Sequence, residues 1–169
     1  MTEKNKLYSK IIFNLSRIYH YAKDLQDVFH VETNSNINID KSKKHGINMC
    51  LVQMGEHSKR IRDIQKENDI SIIDNNALPV DRIKGLRDRI VHTYDDIDYK
   101  IIEDVIKNDI PIVINYIERI VDKELLDNPY CLLDEDYDLA DNYFNTDIDS
   151  IFVNALSSTD KASELNTKK

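Results

Sequence analysis

The sequence predicts an all-α protein, an up-down bundle of four or five helices followed by an acidic C-terminal extension. Apolar residues recur at steps of three and four along most of residues 3–121, the spacing of one buried helix face. Only three glycines and three prolines punctuate 169 residues, too few for a turn-rich β fold. Hydrophobic residues make up 41% of the chain and charged residues 32%, enough to close one core at this length.

The first helix is expected over residues 3–29, where Leu7, Ile11, Leu15, Ile18, Tyr19, Ala22, Leu25 and Val28 form a stripe. Asn34 to Asn38 reads as a turn, and Asp40 is placed to cap the next helix. That helix carries Ile47, Cys50, Leu51, Met54, Ile61 and Ile64 and fades into Glu67-Asn68-Asp69. Residues 70–77 are irregular, and Pro79 suits the start of a third helix, expected from Asp81 to Val91. Asp95, Asp96 and Asp98 then form a turn and an N-cap region. A fourth helix begins near Tyr99 and uses Ile101, Ile102, Val105, Ile106, Ile110, Ile112, Val113, Tyr116, Ile117, Ile120 and Val121. Pro111 should kink or divide it.

Two parts are expected: a helical domain over residues 1–123 and an acidic extension over 124–169, partly disordered or forming a short helix. Net charge is −8, which argues against a nucleic-acid partner until its distribution is considered. Residues 1–123 hold 20 basic and 20 acidic side chains, whereas 124–169 hold 3 and 11, so the excess lies in the extension. There Asp134-Glu135-Asp136-Tyr137-Asp138 and Asp147-Ile148-Asp149 interleave acids with aromatic and aliphatic residues, and a short helix could start at Thr146-Asp147. Such a segment either mimics RNA toward a basic face or simply solubilises the chain. No apolar run approaches the roughly 18 residues of a membrane span, and residues 1–6 show no secretory signal. Cys50 and Cys131 fit no disulfide or metal framework, and the histidines show no metal-ligand spacing. The expectation is a cytoplasmic protein without membrane partner, metal or cofactor.

The chemistry concentrates in Arg87-Asp88-Arg89-Ile90-Val91-His92-Thr93-Tyr94. A guanidinium can hold phosphate oxygens in pairs, and an imidazole can move a proton near neutral pH. At 100° per residue Arg87 projects within the stripe of Ile83, Leu86, Ile90 and Val91, while Arg89 points away. An arginine in an apolar stripe is costly without a partner or interface. His92 falls about 140° round from Arg87 on a continuing helix, so one chain does not easily aim both at one atom. Either the helix ends at His92 or a second chain supplies its own copy; both favour a cleft at a dimer interface. The competing structural reading pairs Arg87 with a carboxylate and leaves His92 as a cationic helix C-terminus.

The R-x4-H-x-Y spacing resembles that of the HEPN superfamily, in particular the HepT-type toxins of bacterial toxin–antitoxin pairs. The resemblance covers roughly residues 7–121. Its other blocks are Gly55-Glu56-His57-Ser58-Lys59-Arg60, Leu78-Pro79, Gly85 to Tyr94, Asp95 to Asp98, and Asp109-Ile110-Pro111. Two positions depart from the family pattern: no Trp follows Pro79, and Asp88 stands where Asn is usual. The resemblance implies a HEPN-like bundle and a metal-independent endoribonuclease acting as a homodimer on tRNA or mRNA. His92 would be the general acid or base, Arg87 would stabilise the phosphorane, and Asp88 would orient one of them, giving a 2′,3′-cyclic phosphate. It also implies AMPylation of Tyr94 by a minimal nucleotidyltransferase antitoxin (MntA-like), whose added charge and bulk exclude RNA.

Lys59, Arg60 and Arg89 are the candidate RNA contacts beside the motif. Lys59 and Arg60, with Lys41, Lys43, Lys44, Arg62 and Lys66, either track phosphates or form solvated helix faces. Gly55 is read as permitting close helix packing, and Glu56 as either a dimer or partner contact or an ordinary surface carboxylate. The alternative function is a non-catalytic helical module that docks a partner nucleotidyltransferase.

Overall fold

A computed structural model describes residues 3–33, 41–73, 78, 80–92 and 99–129. The helices are α1 (Glu3–Thr33), α2 (Lys41–Glu67), α3 (Val80–His92), α4 (Tyr99–Asp104), α5 (Ile110–Ile120) and α6 (Lys123–Asp127), with a π turn, Val105–Asp109, joining α4 to α5. Among the described residues there is no strand, and the chain is an all-α bundle. The acidic sequence from residue 130 onward, Asp40, Pro79 and the turn at Asp95 to Asp98 lie outside the described residues.

α1 is the hub. One side packs on α2 and another on α5 and α6, while α3 packs mainly on α2. The stripe read from the sequence is the buried one: Ile11, Leu15, Ile18, Ala22 and Leu25 of α1 meet Ile47, Leu51, Met54 and Ile61 of α2. Burying an aliphatic side chain of this size contributes about 1.5–3 kcal/mol, so this seam sets the order of the bundle. Tyr19 joins α1 to α5 by donating its hydroxyl to Glu118 at 3.0 Å. Burial and the neighbouring Glu118 push its phenol upward, so it stays the donor.

α2 ends through a device that periodicity does not reveal. Asp69 takes the left-handed conformation (φ 50°), and the Ile70 amide bonds back to the Gln65 carbonyl at 3.0 Å. The buried Gln65 side chain accepts from the Ile72 and Ile73 amides at 2.8 and 2.7 Å. Gln65→Ala leaves two amides without their acceptor and is expected to cost about 1–3 kcal/mol, read as a lower denaturant midpoint.

Pro111 divides the fourth helix by a change of hydrogen-bond register. Proline lacks an amide donor, and its ring crowds the carbonyl four residues back. Here the turn before it widens: the Ile110 amide bonds to the Val105 carbonyl, five residues back. Asp104 and Ile110 keep helical angles on either side. Ile102, Ile106, Ile110, Val113, Ile114, Ile117 and Ile120 stay buried across the join. Ile101 and Ile112, expected in the core, are instead 46% and 56% exposed, because this helix carries more isoleucines than one face can bury.

The sequence reading contained no helix at α6. Asp122 caps it by accepting from the Glu124 amide at 2.8 Å, and Leu125 and Leu126 are buried. The Leu126 carbonyl takes the Ser16 hydroxyl at 2.8 Å and lies 2.7 Å from His20 Nε2, which clamps α6 onto α1.

Candidate active site

The site is built where α3 packs against α2 at Gly55. Gly55 makes the approach possible: a Cβ there would lie 2.3 Å from Arg87 Cβ and 2.8 Å from Arg87 Cγ. The α2 backbone therefore walls the stem of the Arg87 side chain, and the packing role expected of Gly55 is what the structure gives it.

At its tip the guanidinium spans both helices. Arg87 Nη2 donates to Glu56 Oε1 of α2, and Nη1 donates to Asp88 Oδ1 at 2.6 Å. Asp88 also receives Lys84 Nζ at 3.0 Å. The Arg87 hydrogen bond, then that of Lys84, hold the Asp88 carboxyl below the usual aspartate range. Arg87 Nε is enclosed without a hydrogen-bond partner. Glu56 is thus bound within its own chain and is not a bare surface carboxylate. Its pairing with Arg87 crosses 31 positions of sequence, which no local spacing could signal.

His92 is the last residue of α3 and is exposed. No hydrogen bond joins it to Arg87, in keeping with the turn of the helix between them. Tyr94 lies outside the described residues. Lys59 and Arg60 are exposed on α2, one turn beyond Glu56 and on its side of the helix. Arg89 is exposed on another side of α3. There, with Arg82 and Asp109, it lines a largely apolar groove of about 350 Å³ formed by Leu51, Met54, Ile83, Leu86, Val105 and Ile110. Arg82 pairs with Asp109 at 3.1 Å and ties α3 to the π turn. Arg87 and Arg89 therefore serve different surfaces. Among the described residues no group of three His, Cys, Asp or Glu could hold a metal ion.

His57, next to Glu56, faces the core. Its Nδ1 lies 2.8 Å from Asn14 Oδ1, while Asn14 Nδ2 donates to the Lys10 carbonyl at 2.6 Å. The Asn14 oxygen is thus the acceptor, and His57 carries its proton on Nδ1. The ring stacks on Tyr21, whose hydroxyl accepts from Arg17. Burial, then the positive charges of Arg60 and Arg17, lower its pKa from 6.5 to about 4. Between those values the unfolded chain takes up a proton that the folded chain refuses. The stability held above pH 6.5 is therefore lost as the pH falls toward 4. Wild type is expected to lose about 3 kcal/mol more than His57→Gln between pH 7 and 4 in parallel denaturant titrations.

The bundle and its site define a class: an all-α protein that fixes one arginine at a helix–helix crossing and exposes a histidine five residues later on the same helix. A family model described as ribonuclease HepT-like matches residues 18–120, more than half the chain, and the chain belongs to that family. The match runs from the middle of α1 to the last residue of α5 and includes Glu56, Arg87, Asp88, His92 and Tyr94. The family brings ribonuclease activity as a class, with RNA as its substrate. No curated protein and no solved structure matches the chain. No described helix is long and apolar enough to cross a membrane.

Proposed function

We propose that this protein is a metal-independent endoribonuclease toxin that works as a homodimer. The supporting observation is the Arg87 guanidinium, fixed at the α2–α3 contact on the helix that ends in exposed His92. Arg87 stabilises charge on the phosphorane, and His92 moves the proton of the attacking ribose 2′-OH. Asp88 orients Arg87. The ribose oxygen bonds to phosphorus as the 5′ oxygen leaves with a proton, giving a 2′,3′-cyclic phosphate and a 5′-OH. Lys59 and Arg60 extend the phosphate path. A second copy is favoured because Arg87 and His92 of one chain do not meet. A MntA-like nucleotidyltransferase neutralises the toxin in the cytoplasm by adding AMP to Tyr94.

One observation favours the alternative, a non-catalytic module that docks the nucleotidyltransferase: two carboxylates already engage the guanidinium. The deciding experiment is cleavage of total tRNA in EDTA by wild type, Arg87→Ala and His92→Ala, with intact mass recorded for added AMP. Cleavage by unmodified wild type alone supports the nuclease. No cleavage from adduct-free wild type supports the docking module.

A further inference from the structure

We propose that Glu56 is a positioning residue for RNA cleavage: from α2 it holds the Arg87 guanidinium in the orientation that receives phosphate. The inference rests on the assignment of Arg87 to the phosphate site made above.

An arginine side chain carries about 2 kcal/mol of rotamer freedom, which must be removed before its fork can act as a fixed clamp. The stem of Arg87 is confined by the α2 backbone at Gly55. Its Nε is enclosed. Asp88 binds Nη1 but belongs to α3 and moves with Arg87, so it cannot fix the fork relative to α2. Among the described residues, Glu56 is the carboxylate that binds the guanidinium from another helix. Of the five N–H donors of a guanidinium, Glu56 and Asp88 engage one on each Nη, and Nε–H is enclosed. By this count one hydrogen on each Nη is left for phosphate oxygens.

Charge sets how this arrangement acts. Glu56 and Asp88 balance Arg87 and Lys84, so this cluster itself adds little net attraction for the ground-state phosphodiester. The phosphorane carries more negative charge, and a fork already aimed at it stabilises that charge without reorganising. Removing Glu56 should therefore lower kcat and leave KM unchanged or smaller.

The test is steady-state cleavage of one transcribed tRNA in EDTA, with folding followed by thermal midpoint. Glu56→Ala is expected to lower kcat roughly 10- to 100-fold without raising KM. Glu56→Gln, whose amide oxygen still accepts from Nη2, is expected to stay within about threefold of wild type. In an Arg87→Ala background Glu56→Ala should cost nothing further. Wild-type kcat in Glu56→Ala, loss that Gln does not restore, or added loss without Arg87 would each overturn the proposal. An Arg87→Ala chain that cleaves like wild type defeats the Arg87 assignment itself; an inactive Arg87→Ala beside an active Glu56→Ala defeats only the role of Glu56. Guanidinium NMR gives a readout independent of cleavage. Slow rotation of the Arg87 Nη groups in wild type should become averaged in Glu56→Ala, and identical signals in the two chains would also overturn the proposal.

Discussion

Gly55→Ala is expected to destabilise the protein by about 1–3 kcal/mol, although the same change inside a helix ordinarily stabilises by up to about 1 kcal/mol. The sign reverses because of what the new methyl meets. It would lie 2.3 Å from Arg87 Cβ, 2.8 Å from Arg87 Cγ and 3.3 Å from the Ile83 carbonyl oxygen. Arg87 Cβ is fixed to the α3 backbone, so no rotamer relieves the closest contact. The two helices must separate, which loosens Leu51 and Met54 against Ile83. The separation also carries Arg87 Nη2 away from Glu56. Cleavage should then fall roughly 100-fold, the scale of an ångström of misplacement at a reacting centre. Denaturant midpoints and single-turnover rates in EDTA check both parts. A Gly55→Ala chain as stable as wild type would mean that α2 and α3 stand further apart.

Arg87→Lys is expected to lose roughly 100- to 1,000-fold in cleavage rate despite keeping the charge. The guanidinium reaches Glu56 and Asp88 from two different nitrogens and still has a hydrogen on each to offer. A lysine ammonium is a single point on a flexible stem; its three donors diverge from one nitrogen and cannot present a planar pair to phosphate. Arg87→Lys should therefore lie within about tenfold of Arg87→Ala in single-turnover cleavage. Retention within about threefold of wild type would mean that Arg87 contributes only its charge.

Much of this architecture is legible in the chain because the bundle obeys simple periodicity. Most described residues of the α1 and α2 stripes are buried where the steps of three and four place them, with Leu7, Tyr19, Cys50 and Ile64 half-buried, and the same steps separate half-buried Arg87 from exposed Arg89. Of the two glycines in α2, Gly55 marks the close contact, whereas Gly46 faces open space. What escapes is whatever depends on pairing across elements. Glu56 reads as a dimer or partner contact or as a surface carboxylate, and its bond to Arg87 shows only when α3 is laid against α2. Gln65 looks like one more polar residue on a fading helix, and its function depends on two amides seven and eight positions later. α6 is too short to show a period, and only Asp122 before Leu125 and Leu126 hints at it. Ile101 and Ile112 are misplaced for the opposite reason: strong hydrophobicity along the fourth helix says that a face is buried but not how many residues that face admits.

The π turn at Val105–Asp109 has a consequence for chain length. A turn closed five residues back instead of four holds one residue more than α-helical spacing needs, while both flanks keep helical angles. Deleting exposed Asn108 would thus return the turn to α spacing with Ile102 and Ile117 still facing the core. It would also bring the Pro111 ring back against a carbonyl. Val105–Asp109 is the place in this helix where a one-residue gap can be absorbed without turning α5 on its axis, and proline sets the cost of closing it.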